Sequence, residues 1–339
     1  IVGGTTALTS ITTDAAGSLA INGGAITTTG AQTYNDAVTL GAATTLSASS
    51  ITTGSTFNAS TYAATFTTDA IALGGNLSGS GALTIQPKTA STTIGIGSAA
   101  SGTLSLDDTE LGYLVDGFSS ITIGSTAGTG AIAVAYTTPY TFRDPLTIQS
   151  KSTSGGGAIT ATSALNTGAN SLTLTTYGAV STVAITSGTL AITGNGITLN
   201  GDVTTSGTQS YTGAVTLGAD LTLASTGNTS AGNDISFSST INGAKAFTVN
   251  AGVGAITFNS TIGATANLTS LSLTTSHATG ITLSGNVTTT GSQTYNGKTT
   301  LAATPITLTT TNSDVSFGGT LNGNAASRAL TIAAGTGNV

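Results

Sequence analysis

The chain has 339 residues, of which only 5% are charged and 47 are glycine, and its formal net charge is −6. Typical soluble domains carry about 25% charged residues, so an ordinary globular enzyme is a poor match. The 6 Lys and Arg residues are spread thinly, which argues against nucleic acid or an anionic membrane as a partner. No apolar run approaches the roughly 18 residues of a transmembrane segment.

The remaining composition narrows the class of fold. Abundant Thr, Ile and Val argue against disorder, and 4 prolines without a Gly-x-y period argue against collagen. The chain has no Cys, so it has no disulfide framework. What remains is a β-rich chain built from small and hydroxyl-bearing residues.

An internal repeat is the first element along the chain. The segment Ile21–Leu40, INGGAITTTGAQTYNDAVTL, recurs in similar form at Gly196–Leu217 and Gly280–Leu301. The last two copies are 84 residues apart, measured from Tyr211 to Tyr295. A second landmark, the Leu/Ile-x-Gly turn, supports division into four units. We predict units at 1–98, 99–180, 181–260 and 261–339 of one continuous solenoid.

Short apolar–Thr/Ser–apolar triplets recur within every unit, for example Leu221-Thr-Leu223 and Ile256-Thr-Phe258. Alternation places both large side chains on one face and the hydroxyl on the other, and Gly and Asn clusters supply the corners between triplets. Such short strands are stable when each coil stacks on the next. The pattern predicts an all-β parallel β-solenoid with rungs of roughly 21 residues, about four to each 84-residue repeat. An array of β-sandwiches is the alternative.

The Gln-x-Tyr motif places Tyr34, Tyr211 and Tyr295 at one position of the repeat. An exposed row of tyrosines would form an aromatic platform for glycans or for a neighbouring filament. A buried tyrosine would instead pack at a corner, with its hydroxyl bonded to the backbone. The paired glutamines would then stack or cap locally: Gln32, Gln209 and Gln293.

The acidic interlude, residues 106–124 of the second unit, holds the main concentration of charge, and Asp107–Gly117 is the one segment with a helical pattern. A functional interpretation is a carboxylate pair for glycoside cleavage or a cation site. The simpler interpretation is a solvated loop or helical turn with local ion pairs. The acids concerned, with the nearby Arg143, are Asp107, Asp108, Glu110, Asp116 and Asp144.

No cofactor, metal ion or catalytic residue is predicted. His277 is the only histidine, so a His-rich metal site is excluded. A Ser hydrolase triad would need a histidine base and a third orienting group, which the sequence does not supply. His277 is expected to be a turn residue. The calcium-binding nonapeptide of β-rolls has its nearest match at Gly232-Asn-Asp234, which does not recur. Ice binding needs Thr-x-Thr at one phase in every coil, whereas runs such as Thr288-Thr-Thr290 recur about once per unit.

The two ends of the sequence nearly complete one another. LTIAAGTGNV at 330–339 matches FTVNAGVGAI at 247–256, and IVGGTTALTS at 1–10 matches TIGATANLTS at 261–270. Either the sequence is a segment of a longer array, or its ends abut. Because unpaired strand edges are templates for pairing, both predict head-to-tail assembly through Ile1, Val2, Asn338 and Val339.

The pattern GxQTYNxAVTLGAxTTL, with xVxFxGTxNG and ALTxNAGxGxV, resembles the repeats of long secreted bacterial proteins such as filamentous haemagglutinins and other two-partner-secretion exoproteins. Leu106–Gly124 is similar to an interlude found in them. The resemblance implies a right-handed parallel β-helix at the cell surface or in an extracellular fibre, with adhesion, aggregation or matrix roles.

We therefore predict a non-enzymatic structural segment of a secreted or cell-surface filament or adhesin. Its expected partners are other copies of itself, head to tail and laterally, and extracellular polysaccharide or other cells. Low charge would let neighbouring filaments pack side by side. The alternatives are a glycan-binding surface module and, as minor ones, an ice-binding solenoid or a polysaccharide-degrading β-helix.

Overall fold

The structure is a computed structural model that describes residues 1–153, 155–227 and 233–339. It contains two compact units, Ile1–Gly178 and Ala179–Val339. Strands separated by short corners make up both units. The helical exception in the described residues is one five-residue turn, α1, at Asp108–Gly112.

The residues of the first unit that the structure describes form twenty strands: β1 Ile11–Thr12, β2 Ser18–Ile21, β3 Ala25–Thr27, β4 Gln32–Tyr34, β5 Ala37–Leu40, β6 Thr44–Ser47, β7 Ile51–Thr53, β8 Phe57–Asn58, β9 Ala64–Thr67, β10 Ile71–Leu73, β11 Leu77–Ser78, β12 Ala82–Gln86, β13 Ile94–Ile96, β14 Leu104–Leu106, β15 Ser120–Ser125, β16 Ile132–Val134, β17 Leu146–Ser150, β18 Ile159–Ala161, β19 Leu165–Asn166 and β20 Leu172–Thr176.

The described part of the second unit contains nineteen: β21 Ala179–Thr182, β22 Ile185–Ser187, β23 Leu190–Leu199, β24 Val203–Thr205, β25 Gln209–Leu217, β26 Leu221–Ser225, β27 Ile235–Phe237, β28 Ile241–Asn242, β29 Ala246–Gly252, β30 Ile256–Phe258, β31 Ser270–Thr275, β32 Ile281–Leu283, β33 Val287–Thr288, β34 Gln293–Asn296, β35 Thr299–Leu301, β36 Ile306–Thr309, β37 Val315–Phe317, β38 Leu321–Gly323 and β39 Leu330–Ala333.

The first unit winds into coils of three strands. Three parallel stacks begin β1–β4–β7–β10, β2–β5–β8–β11 and β3–β6–β9–β12. Register partners in successive coils lie about 20 residues apart, as Gln32 does from Ile51. The predicted parallel β-solenoid, with rungs of about 21 residues, is confirmed, and the sandwich array is excluded. Its right-handed sense stays a prediction.

Alternation along each strand builds the core. In the third stack Leu46, Phe66 and Ile85 point inward and are at most 1% exposed, and they lie directly above one another in register. Each coil alone would leave one edge of these side chains in water. Stacking turns them into one continuous apolar column, which stabilises the coil by about 1.5–3 kcal/mol per buried side chain.

The acidic interlude changes the order of strands. β12 pairs with β15, whose register partner for Leu83 is Ile121, 38 residues later. Within this excursion β13 lies between β14 and β16, so spatial order departs from chain order. A Cβ on Gly102 would collide with the backbone of Gly95, so the close crossing of these two segments requires glycine. The sequence predicts the helical turn but not this reversal.

The second unit also has three parallel stacks, which we name faces I, II and III. Face I joins the first half of β25 to β27, β30, β32, β35 and β38. Face II joins the second half of β25 to β28, Ile262, β33, β36 and β39. Face III joins β26, β29, β31, β34 and β37.

The 84-residue repeat is out of phase with the coils. Tyr211 lies on face I, opposite Phe237, whereas its copy Tyr295 lies on face III, opposite Phe317. Ile197 likewise lies on face II, opposite Val215, and its copy Ile281 on face I. One repeat therefore spans eleven strands, which is three full turns and two further faces. The prediction of about four turns per repeat is close to this value, but the repeat is not a whole number of turns.

No helix among the described residues is long and apolar enough to cross a membrane.

Candidate functional site

The repeated motif forms a polar network at a corner between two strands. Its full pattern is Thr-x-Gly-x-Gln-x-Tyr, at residues 28–34, 205–211 and 289–295. In each copy the glutamine begins a strand, β4, β25 or β34. The glycine lies in the corner before this strand, and the threonine either ends the preceding strand, as in β24, or follows it by one residue, as after β3 and β33. We call this arrangement the corner network.

Hydrogen bonds in the corner network follow one pattern in all three copies. The tyrosine hydroxyl donates to the glutamine Oε1 at 2.9, 2.9 and 2.8 Å. The glutamine Nε2 donates to the threonine Oγ1 at 3.4, 3.2 and 3.2 Å. The threonine Oγ1 donates to the glycine carbonyl at 2.9, 2.6 and 2.6 Å. Each side chain thus finds a hydrogen-bond acceptor in the next group of the network.

The glutamine amide also links successive coils. Gln32 Nε2 donates to the carbonyl of Ser47 at 3.0 Å, and Ser47 is the register partner of Thr27 one coil further on. The same bond, 2.8 Å long in both cases, joins Gln209 to Ala224 and Gln293 to Thr309. The motif is therefore a clamp between two coils.

The three tyrosines lie inside the coils. Tyr34, Tyr211 and Tyr295 are 0% exposed, and burial raises the pKa of each hydroxyl above its ordinary value. The expectation of an exposed tyrosine platform for glycans is wrong, because these rings do not reach the surface. The packing interpretation describes them, with one correction: the hydroxyl partner is the glutamine side chain and not the backbone.

Aromatic stacking extends the network along the coil axis. The Tyr211 ring stacks on Phe237 at 4.8 Å between centroids, and Phe237 stacks on Phe258 at 5.0 Å. Tyr295 stacks on Phe317 at 5.1 Å. Such near-parallel aromatic pairs stabilise the fold by more than the burial of their surface alone. The network thus joins neighbouring coils through both polar and apolar contacts.

The acidic interlude is a second polar cluster, and its carboxylates bind backbone amides. Asp107 caps α1 by accepting from Glu110 N at 2.8 Å, and Glu110 Oε2 accepts from Asp107 N at 2.9 Å. Glu110 Oε1 accepts from Leu73 N at 2.8 Å, which satisfies a donor of β10. Burial raises the pKa of Glu110.

Two further carboxylates tie neighbouring loops to the turn. Asp108 accepts from Ser98 N at 2.8 Å, from Thr137 N at 2.9 Å and from the Thr137 hydroxyl. The Thr137 hydroxyl and the Ser98 amide lower the pKa of Asp108 to about 2. Asp144 accepts from Gly117 N at 3.0 Å, and burial raises its pKa.

These contacts favour the structural interpretation of the interlude over a glycosidase pair, because the carboxylate oxygens face backbone donors that hold the turn together. Among the described residues no group of three or more His, Cys, Asp or Glu side chains is arranged to hold a metal ion. His277 lies in the corner after β31, where its Nδ1 accepts from Thr279 N at 3.0 Å. Of the weak calcium match, Gly232 lies outside the described residues, and Asp234 accepts from Ala255 N.

The outer surface carries a column of threonines that the sequence reasoning missed. Six successive strands of one stack in the first unit present threonine at the same register position: Thr45, Thr65, Thr84, Thr122, Thr147 and Thr173. The next outward column is interrupted by Gln86, Gly124 and Gln149. A regular two-column hydroxyl array, as an ice-binding face would need, is therefore incomplete.

The predicted assembly residues are partly exposed. Ile1, Val2 and Val339 are 82%, 40% and 76% exposed, and Leu8, which the sequence reasoning did not single out, is 45% exposed. Asn338 is instead bound to its own chain: its amide donates to Asp314 Oδ1 at 2.7 Å, and its carbonyl accepts from Val315 N.

Comparison of the chain with protein-family models finds no match, and neither do searches of curated proteins or of solved structures.

Proposed function

We propose that this chain is a structural repeat segment of a secreted or cell-surface β-solenoid filament or adhesin, which assembles end to end and mediates adhesion or matrix formation. The observation that carries the proposal is the corner network. The Thr-x-Gly-x-Gln-x-Tyr motif is used inside the coils, where each of its three copies clamps one coil to the next.

A filament segment under tension needs coils that do not separate. A buried, fully bonded polar network contributes to this in two ways. It adds about 0.5–1.5 kcal/mol per hydrogen bond, and it favours one register, because a slip between coils would break the bond from the glutamine amide to the carbonyl of the next coil. Such stiffness is what a filament requires.

The outer surface supports the same proposal. With 5% charged residues, neighbouring segments repel one another weakly, and outward threonine columns offer hydroxyls for contacts with sugars, surfaces or another filament. We propose no enzymatic role for the interlude, because its carboxylates accept hydrogen bonds from backbone amides. The extracellular location rests on the resemblance of the repeats.

The test is display of residues 1–339 on a non-adherent bacterial cell through an outer-membrane anchor. We expect more cells retained on glass and on polysaccharide-coated surfaces, and faster sedimentation of cell clumps, than with the same anchor carrying a compact domain of similar mass. Equal retention and equal sedimentation would overturn the proposal.

Glycan binding is the second candidate, and after the burial of the tyrosines it rests on a groove of the second unit. The groove has a volume of about 570 Å³. Its lining combines a lysine with hydroxyl and amide groups that suit an acidic sugar: Ala278, Thr279, Thr282, Lys298, Thr300, Asn322, Gly323 and Asn324. Lys298→Glu should abolish retention on a uronate polysaccharide column, while Lys151→Glu, in the first unit, should not. Equal elution of both variants and the parent would exclude this groove.

A further inference from the structure

The corner that follows the first corner network contains a buried carboxylate. Asp36, between β4 and β5, is 8% exposed, and its Oδ1 atom has no hydrogen-bond partner among the residues that the structure describes. Removing an ionised carboxylate from water costs free energy unless an opposite charge or hydrogen-bond donors replace the lost hydration. Asp36 Oδ1 therefore needs a partner.

The chain itself supplies no basic partner at this corner. Residues 1–87 contain no Lys, Arg or His, and their acids are Asp14, Asp36 and Asp69. The first basic side chain, Lys88, reaches the second coil at a different corner, where its Nζ donates to the Thr28 carbonyl at 3.1 Å. The partner of Asp36 Oδ1 has to come from solution, as a cation, a proton or a water molecule.

The fold does not require an acid at this position. The segment Tyr34-Asn-Asp36 corresponds to Tyr211-Thr-Gly213 and to Tyr295-Asn-Gly297 in the other two copies of the motif. Both of those copies form the bond from tyrosine to glutamine with glycine in place of the acid. The Asp36 carboxylate is therefore not part of the clamp, and its burial calls for a separate explanation.

Asp36 Oδ1 faces a wide corner of the preceding coil. The first coil contains β1, β2 and β3, and the second contains β4, β5 and β6. Five residues, 13–17, connect β1 to β2, whereas two connect β4 to β5. A Cβ on Gly17 would lie 3.3 Å from Asp36 Oδ1, so this oxygen is directed at the longer corner. The site thus lies between two coils of the same chain.

A second carboxylate belongs to that longer corner. Strand pairing continues past β1, since Thr13 N donates to the Thr33 carbonyl at 3.0 Å. Asn35 then holds the start of the corner: its amide N donates to Thr13 Oγ1 at 3.0 Å, and its Nδ2 donates to the Thr13 carbonyl at 2.8 Å. Asp14 follows directly, in register with Asn35 and next to Asp36. The two coils therefore bring two carboxylates and the carbonyl groups of a wide corner together.

We propose that this corner binds a calcium ion between the first and second coils, with Asp36 and Asp14 as its carboxylate ligands. Main-chain carbonyls of residues 14–17 and water complete the coordination. Two carboxylates balance the charge of one divalent ion, so the site needs no third acid. Oxygen ligands alone suit calcium or magnesium and not zinc or copper.

The irregular corner decides between those two ions. Calcium accepts about six to eight oxygens in flexible arrangements, whereas magnesium requires near-octahedral geometry and gives up its water reluctantly. With two carboxylates the affinity should be modest, and we expect a dissociation constant of about 0.1–1 mM. The bound ion then joins the two coils at a corner, where strand pairing is interrupted.

Calorimetric titration of the full chain with calcium chloride, after treatment with a chelator, tests the ligands. We expect one site in the parent chain. Asp36→Asn, which keeps the shape of the side chain and removes its charge, should abolish binding. Asp14→Ala should weaken it at least about tenfold. Asp220→Asn is the control and should bind as the parent does, since Asp220 lies in the second unit and accepts from Ala246 N.

Thermal unfolding separates calcium from the other partners of Asp36. In chelator, Asp36→Asn should be at least as stable as the parent, because the buried charge is gone, and Asp14→Ala should match the parent. Saturating calcium should raise the melting temperature of the parent and leave that of Asp36→Asn unchanged. Magnesium should raise it less.

Three results would overturn the inference. Absence of calcium binding by the parent would mean that a proton or water serves Asp36. Equal calcium binding by Asp36→Asn and the parent would place the ion elsewhere. An equal shift of the parent's melting temperature by magnesium and calcium would indicate general screening of acidic charge.

Discussion

The corner network at Thr28–Tyr34 and the acidic interlude around α1 both use polar side chains to hold neighbouring segments of the chain together. They differ in the charge and the burial of those side chains. The corner network is neutral, buried, and present three times. The interlude is charged, largely at the surface, and in this chain it occurs once. A neutral network can be buried without the cost of desolvating an ion, so it can recur inside a narrow coil. The charged cluster of the interlude lies at a place where the regular order of strands is interrupted.

This comparison teaches how to interpret repetition in such a chain. A motif that recurs at a fixed spacing attracts a functional interpretation, but here the recurring residues are those that the stack of coils needs. The unrepeated residues of the interlude are the ones that differ from the general pattern. The predictions below separate the two kinds of region.

The largest effect is expected for Gln209→Leu. The substitution leaves the Tyr211 hydroxyl and the Ala224 carbonyl buried without their partner, which should lower the free energy of unfolding of the second unit by about 3 kcal/mol. Ser210→Ala, on the outward side of the same strand, should change it by less than about 0.5 kcal/mol. Urea denaturation measures both, and equal stability of the two variants would contradict the clamp.

A smaller effect is expected for Tyr211→Phe. The ring and its stacking on Phe237 remain, while Gln209 Oε1 loses its donor. The cost should be about 1–2 kcal/mol in the same denaturation experiment. Tyr62→Phe, at a tyrosine that is 38% exposed, serves as the control and should have no measurable effect. A stabilised Tyr211→Phe variant would show that the hydroxyl has no structural role.

Substitutions in the interlude should lower the stability of the fold less than those in the corner network. Asp107→Ala removes the cap of α1, and loss of such a cap costs about 1 kcal/mol. Asp14→Ala, at an exposed aspartate of the first unit, is the matched control. Thermal unfolding of both variants measures the difference. A loss as large as that of Gln209→Leu would mean that the interlude, and not the corner network, dominates stability.

The smallest effect concerns pH. The pKa of Asp108 is lowered from 3.8 to about 2, so its stabilising contribution is present above pH 3.8 and is lost as pH falls toward 2. Burial raises the pKa of Glu110 and Asp144, so those two groups favour folding as the pH falls. Asp108→Asn should therefore show a shallower loss of stability between pH 4 and pH 2 than the parent chain. Parallel curves would contradict the assignment.

Much of the fold could be predicted from the sequence, because apolar–Thr–apolar triplets such as Leu221-Thr-Leu223 specify strands with one buried face. The face of the coil on which each copy of the repeat lies could not be predicted. Successive partners on face I are 26 residues apart at Gln209 and Ile235 but 18 apart at Ile281 and Thr299. Corner lengths vary too much for a sequence period to show which face each copy of the repeat occupies.

The candidate site was predicted only in part. The Gln-x-Tyr spacing places both side chains on one face of a strand, but it does not say which face is buried. The missing signal was Thr-x-Gly before the glutamine, whose threonine is buried in all three copies: Thr28, Thr205 and Thr289. A buried threonine four residues before a glutamine indicates an inward network. The crossing of β13 and β14 has no comparable signal, since it depends on contacts between separate segments.

The most direct test of the central claim is the pattern of tyrosine nitration in the native chain, read by peptide mass spectrometry. We predict rapid nitration of the exposed Tyr62 and Tyr177, which are 38% and 50% exposed, and protection of Tyr34, Tyr211 and Tyr295 until the chain is unfolded. Nitration of these three at the rate of Tyr177 in the folded chain would contradict the account.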